Sequence, residues 1–265
     1  MNPIEGAAAR LLQARQQGRP QPAAGLADVD AGADAPSAYA VQAQVAQALG
    51  WFGAAPPQHW KSGGPSREAV ATHAPLPPAG VWASPADASG WPFTLRWVEA
   101  EVALRLGRAV DAGLADGLAD GLADGLDLAQ ARSLVDAMCV SIEIVDSRWA
   151  EGLQAPAWAK LADLQSHGAL VLGAWRPFDA GHDWAAQVCR VRIGAQPLRQ
   201  FRGTHSMADP AFVLLAWLRH ATRDGAVLPA GTVLTTGTWC GMLAAQAGER
   251  VEVEFDGIGA ASVQL

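Results

Sequence analysis

Two stretches decide how this chain folds: VEAEVALRLGR at residues 98–108 and SIEIVDSRW at 141–149. The first, taken with its lead-in LRW, alternates in part between apolar and polar residues and reads as a strand over 95–108. Residues two apart on a strand point the same way, roughly 6.6–6.8 Å from each other. Glu99 and Glu101 therefore share one face, and Glu143 sits inside a second apolar strand. A carboxylate in such a setting costs free energy unless a cation or hydrogen-bond partner offsets its charge. Two readings meet that requirement. In one, the face carrying Glu99 and Glu101 is solvated and Glu143 pairs with Arg148 or Arg105. In the other, the three carboxylates hold a hard divalent ion such as Mg²⁺ or Mn²⁺, with water or substrate oxygens completing its shell. No His-rich or Cys-rich cluster favours zinc.

Working outward, residues 3–18 read as an amphipathic helix ended by Gly18-Arg19-Pro20, and 20–36 as a loop. A second helix is expected at 37–49, closed by Gly50. Residues 127–140 read as a helix feeding a strand at 141–149, and 168–175 as another strand. Residues 184–194 and 197–201 look like a hairpin. The clearest helix is 210–225, opened by Pro210 and ended by Gly225. Strands at 233–239 and 250–265 complete the sheet. The unit Gly-Leu-Ala-Asp, repeated within 112–125, reads as a low-complexity surface loop, because a glycine at every fourth residue disfavours a helix. An Asp-rich calcium loop is the alternative, although the glycine spacing does not match an EF-hand. Helices first, then mostly antiparallel strands around one long helix, make an α+β pattern.

Composition narrows the function. With half of 265 residues hydrophobic, a sizeable core is available. The net charge of −7 offers no basic field for nucleic acid. Cys139, Cys189 and Cys240 are odd in number and far apart, which argues against a disulfide framework and for a reducing compartment. No secretory h-region and no apolar run of about 18 residues occurs, so no membrane span is expected and the cytoplasm is the expected location. Eleven tryptophans against one tyrosine fit either core filling or aromatic walls for an apolar substrate tail.

The two opening strings resemble the signature of the fumarylacetoacetate hydrolase superfamily, in its branch of 2-keto-4-pentenoate hydratases and 4-oxalocrotonate decarboxylases. AYAVQ at 38–42, WKSGGPSR at 60–67, GVWAS at 80–84, LADLQSHGALVLG at 161–173, LLAWL at 214–218, VLTTGT at 233–238 and the C-terminal AGERVEVEFDGIGAASVQL follow in the order of that branch. The resemblance implies a mixed β-roll core with an N-terminal helical extension, here residues 1–75 before a catalytic 76–265. It implies a homo-oligomer, and association with a pathway enzyme. It also implies metal ligation by Glu99, Glu101 and Glu143, with Mg²⁺ or Mn²⁺. Lys61 matches the lysine used in acid–base chemistry or substrate binding, Asp163 and Ser166 fall in the ADNAS motif, and Thr238 lies near the substrate carboxylate. Arg148 is a candidate for the same carboxylate or for a structural ion pair. Two departures stand out. ADLQSHG replaces ADNASSG, losing the Asn, and the loop RGTHSMADP offers His205 instead of the glycine-rich run.

The implied substrate is a small 2-oxo or 2-hydroxy acid. A 2-hydroxy-2,4-dienoate would chelate the cation through its carboxylate and 2-oxygen, shift to the 2-oxo tautomer and add water in conjugate fashion. Lys61 would carry the proton, with a pKa lowered by burial or a neighbouring cation. Decarboxylation of a 2-oxo diacid and C–C cleavage of an acylpyruvate use the same charge stabilisation. The cleavage needs a base, for which His205 is the candidate. A non-catalytic assembly partner is the reading from another class. Cys240 has no neighbouring base in sequence, and Cys139 and Cys189 lie in apolar segments that read as buried.

Overall fold

The computed structural model describes residues 3–24, 34–116 and 126–265. Strands β5 (Trp97–Leu106) and β6 (Val135–Val145) form its centre, paired antiparallel along nearly their whole length. Val98, Ala100, Val102 and Leu104 of β5 and Met138, Val140, Ile142 and Ile144 of β6 are all buried in the main core. The alternate residues, Glu99 and Glu101 with Ser141 and Glu143, fall on the other face, as a period of two requires. This pair sits inside a mixed sheet with β1 (His59–Gly63), β2 (Thr72–Pro75), β3 (Val81–Ala83), β7 (His167–Leu172) and β11 (Val233–Thr235), in the order β2-β1-β11-β5-β6-β7-β3. Two short strands, β8 (Arg176–Pro177) and β12 (Leu243–Ala244), extend it. The β1–β11 and β3–β7 pairs are parallel, and the others are antiparallel.

A second sheet is ordered β10-β9-β13-β14-β4, from β4 (Ala86–Asp87), β9 (Val188–Ile193), β10 (Arg199–Arg202), β13 (Arg250–Phe255) and β14 (Gly259–Gln264). Val191, Val251 and Phe255 of this sheet and Trp217 of the helix Leu214–Thr222 share the core with β5 and β6. The β9–β10 hairpin lies where it was expected. The C-terminal stretch is a β13–β14 hairpin rather than one strand, turned at Gly257, whose φ of +71° suits a residue without a Cβ. This is the α+β architecture the pattern implied.

Helices at Pro3–Gln17 and Ala35–Ala48 open the chain. The Asp34 carboxylate accepts from the Ser37 N–H at 3.0 Å and caps the second. Both helices pack in a separate apolar cluster with Trp149, Trp158 and Leu161. Within residues 1–75, the strands β1 and β2 belong to the main sheet. The helix expected over 127–140 is shorter. It covers only Leu128–Ser133, under a capping box of Asp127 and Gln130. From Val135 onward the pairing offered by β5 overrides the helix-compatible Ala-Met run. The first repeat unit forms one helical turn, Ala112–Ala115, capped by Asp111, and the remaining repeat at 117–125 lies outside the described residues.

Candidate metal and acid-binding site

Glu99 and Glu143 are directly paired across β5 and β6, and Glu101 faces Ser141 two positions on. Like charges placed opposite each other on a sheet repel. One oxygen from each of Glu99, Glu101 and Glu143 lies within 4.8 Å of the others. An octahedral ion bonded at 2.0–2.1 Å holds its oxygens roughly 2.9–4.2 Å apart, so a small contraction closes the set. Glu101 and Glu143 are buried, and Glu99 is half-buried. Burial, with Glu143 and Glu101 beside it, pushes Glu99 up to about 8. Burial and Glu143 push Glu101 up to about 7 against the pull of Lys61. Two carboxyls resisting ionisation and a buried Glu143 Oε2 with no hydrogen-bond partner among the described residues fit a divalent cation.

The surroundings hold each ligand in place. The Thr235 hydroxyl donates to Glu101 Oε2, and the Gly237 N–H donates to the same oxygen at 3.1 Å. The Ser141 and Thr235 hydroxyls are 3.0 Å apart, tying β6 to β11 behind Glu101. Lys61 reaches from β1, donating to Glu143 Oε1 at 2.6 Å and to the Gln165 carbonyl at 3.3 Å. His167 Nδ1 meets the same Glu143 oxygen at 3.0 Å. Burial opposes the charge on Lys61, but Glu143, Glu99 and Glu101 outweigh it and raise its pKa. The lowering expected from burial is thus reversed by carboxylates that the sequence had not placed next to it. Burial likewise opposes the charge of Glu143, and Lys61 and His167 overcome it, keeping Glu143 below its ordinary value.

The motif LADLQSHG is folded unusually. Leu164, Gln165 and Ser166 all have positive φ, 54°, 56° and 58°. This one left-handed turn aims the Gln165 carbonyl at Lys61. The family's Asn is replaced by Leu164, at a position where Asn tolerates left-handed backbone better than Leu does. The buried Ser166 hydroxyl has no hydrogen-bond partner among the described residues.

Asp163 does not join the glutamates. It accepts from the Arg148 backbone N–H at 2.9 Å, from Arg148 Nε at 2.7 Å and from Arg15 at 3.1 Å. Asp163 and Arg148 therefore bind each other, and Asp163 also holds Arg15 of the first helix, so both of its oxygens are engaged away from the glutamates. Neither residue lines the cavity that Glu99, Glu101 and Lys61 line. Arg148→Ala is expected to cost up to about 3–5 kcal/mol in urea unfolding, because it leaves the buried Asp163 carboxylate with Arg15 as its only charged partner, while calorimetric Mg²⁺ binding persists. Unchanged stability with lost Mg²⁺ binding would return Arg148 to the acid site.

His205 is likewise committed. Its Nε2 donates to the Thr236 carbonyl at 2.9 Å, and its Nδ1 accepts the Met207 N–H at 3.2 Å. Burial pushes the ring down to about 4, so it is a neutral strut for the loop and not a free base. Thr238 lines the cavity, while its hydroxyl donates to the Gly241 carbonyl at 3.0 Å. All three cysteines are free and buried.

Ser62 also lines the cavity, with its hydroxyl 2.8 Å from His73 Nδ1. Burial holds the His73 ring down to about 4. A histidine with a depressed folded pKa stabilises the fold above about 6.5, and that stability is lost as pH falls towards 4. The stability advantage of the native protein over His73→Asn should shrink by on the order of 1–2 kcal/mol between pH 7.5 and 4.5. Parallel urea curves at both pH values would place His73 outside this linkage.

Sequence reasoning missed His167, Gln165, Thr72, Ser62 and Thr235. His167 and Gln165 stood inside the quoted motif, and Thr235 inside VLTTGT, but only the fold shows which neighbours they meet.

A mixed sheet curled around a cluster of three carboxylates and a lysine defines a class of β-roll proteins. A family model described as fumarylacetoacetate (FAA) hydrolase C-terminal matches residues 52–265, and the chain belongs to that family. It is similar to 2-keto-4-pentenoate hydratase 2 of Dechloromonas aromatica (strain RCB), 32% identical over 163 residues, which are 61% of this chain and 57% of that protein. It is also similar to 2-hydroxyhexa-2,4-dienoate hydratase of Comamonas testosteroni, 31% identical over 127 residues, 46% of each. The chain thus spans little more than half the length of the curated relatives it matches. In fold it resembles 4-oxalocrotonate decarboxylase from Pseudomonas putida G7 complexed with magnesium and adipate. That likeness has a TM-score of 0.79 at 16% identity and covers 98% of this chain and 96% of the other. No helix among the described residues is long and apolar enough to cross a membrane.

Proposed function

We propose that this protein is a cytoplasmic, divalent-metal-dependent hydratase of aromatic-compound breakdown that adds water to a 2-hydroxy-2,4-dienoate and yields a 2-oxo acid. The observation that carries this reading is the convergence of Glu99, Glu101 and Glu143, with Lys61 donating to Glu143, at a cavity lined by Glu99, Glu101 and Lys61. The hydratase names of two relatives support it. Glu99, Glu101 and Glu143 would hold Mg²⁺ or Mn²⁺, and a neighbour of the same fold was crystallised with magnesium. When bound, the cation supplies charge stabilisation at the 2-oxygen of the acid. Lys61 holds a proton beside that position and passes it to carbon, and Gln165 orients the amine through its carbonyl. Thr238 lines the head of the cavity, and Ser166 offers a buried hydroxyl one step along it. A homo-oligomer and an association with a pathway enzyme belong to this reading. C–C cleavage of an acylpyruvate loses its candidate base, since both nitrogens of His205 are occupied.

The deciding assay supplies 2-hydroxypenta-2,4-dienoate with Mg²⁺ and follows loss of the diene absorbance. 4-Oxalocrotonate is run beside it, with release of carbon dioxide as the readout. Diene loss that depends on the cation is the expected result. Carbon dioxide release without diene loss would replace the hydratase with a decarboxylase, and inactivity on both and on a phenyl-substituted 2-hydroxydienoate would favour a non-catalytic assembly partner.

A further inference from the structure

The glutamates close only one end of a longer cleft. The cavity lined by Glu99, Glu101 and Lys61 measures about 300 Å³, which is ample for the head of a five- or six-carbon acid. A second cavity of about 470 Å³ adjoins it and shares Thr72, Glu99 and Gln165 with it. Its walls are Val145, Leu153, Ala157, Trp158, Leu161 and Met242. The Trp158 indole N–H is already spent on the Ser37 hydroxyl at 2.7 Å, so that ring offers carbon to the space. Two opposite charges stand at its rim. Lys160 donates to the Leu153 carbonyl at 3.3 Å, and the Asp34 carboxylate caps its helix through Ser37. With Glu99 at the inner end turned to the cation, Asp34 and Lys160 balance each other, and Lys160 is committed to a carbonyl, so the lining offers no net positive charge to hold a second carboxylate.

We propose that this second cavity seats the substrate's tail, and that the tail is bulky, apolar and uncharged: an aryl or branched alkyl group on the dienoate rather than hydrogen, methyl or a second carboxylate. The proposal rests on the reading that the glutamate cavity holds the 2-oxo or 2-hydroxy acid head. Apolar area removed from water on a preformed wall is the source of the preference.

Binding separates the tail from the reaction. The Mg²⁺-loaded protein is titrated calorimetrically with pyruvate, 2-oxopentanoate, 2-oxo-4-phenylbutanoate and 2-oxoadipate. The phenyl-tailed acid is expected to bind at least tenfold more tightly than pyruvate, and 2-oxoadipate no more tightly than 2-oxopentanoate. Leu153→Lys, and separately Met242→Lys at a position 46% exposed, should each lower the ratio of phenylbutanoate to adipate affinity about tenfold. Equal affinities across the series, a native preference for 2-oxoadipate, or a ratio untouched by both lysines would overturn the tail assignment and leave the head reading standing. Failure of every 2-oxo acid to bind would overturn both. A tail preference without dienoate hydration would sustain the tail site and remove only the hydratase.

Discussion

Glu101→Gln is expected to raise the stability of the metal-free protein and, in the same molecule, to abolish its response to Mg²⁺. The two effects share one cause. Without a cation, Glu101 is buried beside Glu143 and close to Glu99, with Lys61 as the neighbouring positive charge. Its carboxyl is pushed up to about 7, so at pH 8 the fold holds an ion it would rather keep neutral. Glutamine keeps the shape and still accepts from the Thr235 hydroxyl and the Gly237 N–H, but it carries no charge. Chelated protein at pH 8 should therefore gain on the order of 1–3 kcal/mol in urea unfolding. Mg²⁺ stabilises the native protein by mass action because it binds the folded set and not the unfolded chain. With one of three anionic ligands gone, that increment should vanish, and turnover should fall on the order of 10²–10³-fold or more. A variant less stable than the native protein under chelation would mean that the carboxylates are satisfied as a hydrogen-bonded cluster. A variant that keeps its Mg²⁺ increment would remove Glu101 from the ligand set.

The same residues mark where sequence reading reached its limit. Period-two alternation put Glu99 and Glu101 on one face, and β5 keeps them there. Spacing could not say that Glu143 stands directly opposite Glu99, because register between strands 29 residues apart in sequence at their nearest ends is set by pairing and not by local pattern. Nor could it choose among the arginines. Glu143 pairs with Lys61, Arg105 with Asp136 and Arg148 with Asp163, so neither arginine proposed for Glu143 serves it. Lys61 and the motif at 161–168 were found through resemblance alone, and resemblance carried Asp163 in with Ser166. The left-handed turn at 164–166 explains why the two part company. Three consecutive positive φ values reverse the chain between them, sending Asp163 to the arginines while Ser166 lines the cleft. No propensity predicts such a turn for Leu-Gln-Ser.

The second large effect falls on Lys61. Its side chain is 11% exposed, and that of Glu143 beneath it is fully buried, so little solvent screens the pair. Lys61→Met keeps the bulk of the stem but leaves Glu143 with His167 alone. Removing one partner of a buried pair costs about 3–5 kcal/mol, which chelated protein should show in full. Added Mg²⁺ should recover part of that loss, because a cation at the three carboxylates answers the same uncompensated charge. Its affinity should stay within about tenfold of the native value, since none of the ligands has changed. Turnover is a separate matter. A positioned proton carrier contributes about 10²–10⁴-fold, and methionine carries no proton. Protein with full metal content, recovered stability and turnover lowered by that factor assigns Lys61 to the chemistry. Turnover restored along with stability would show that the amine serves only to balance Glu143, and the proton would then have to come from another group facing the cavity.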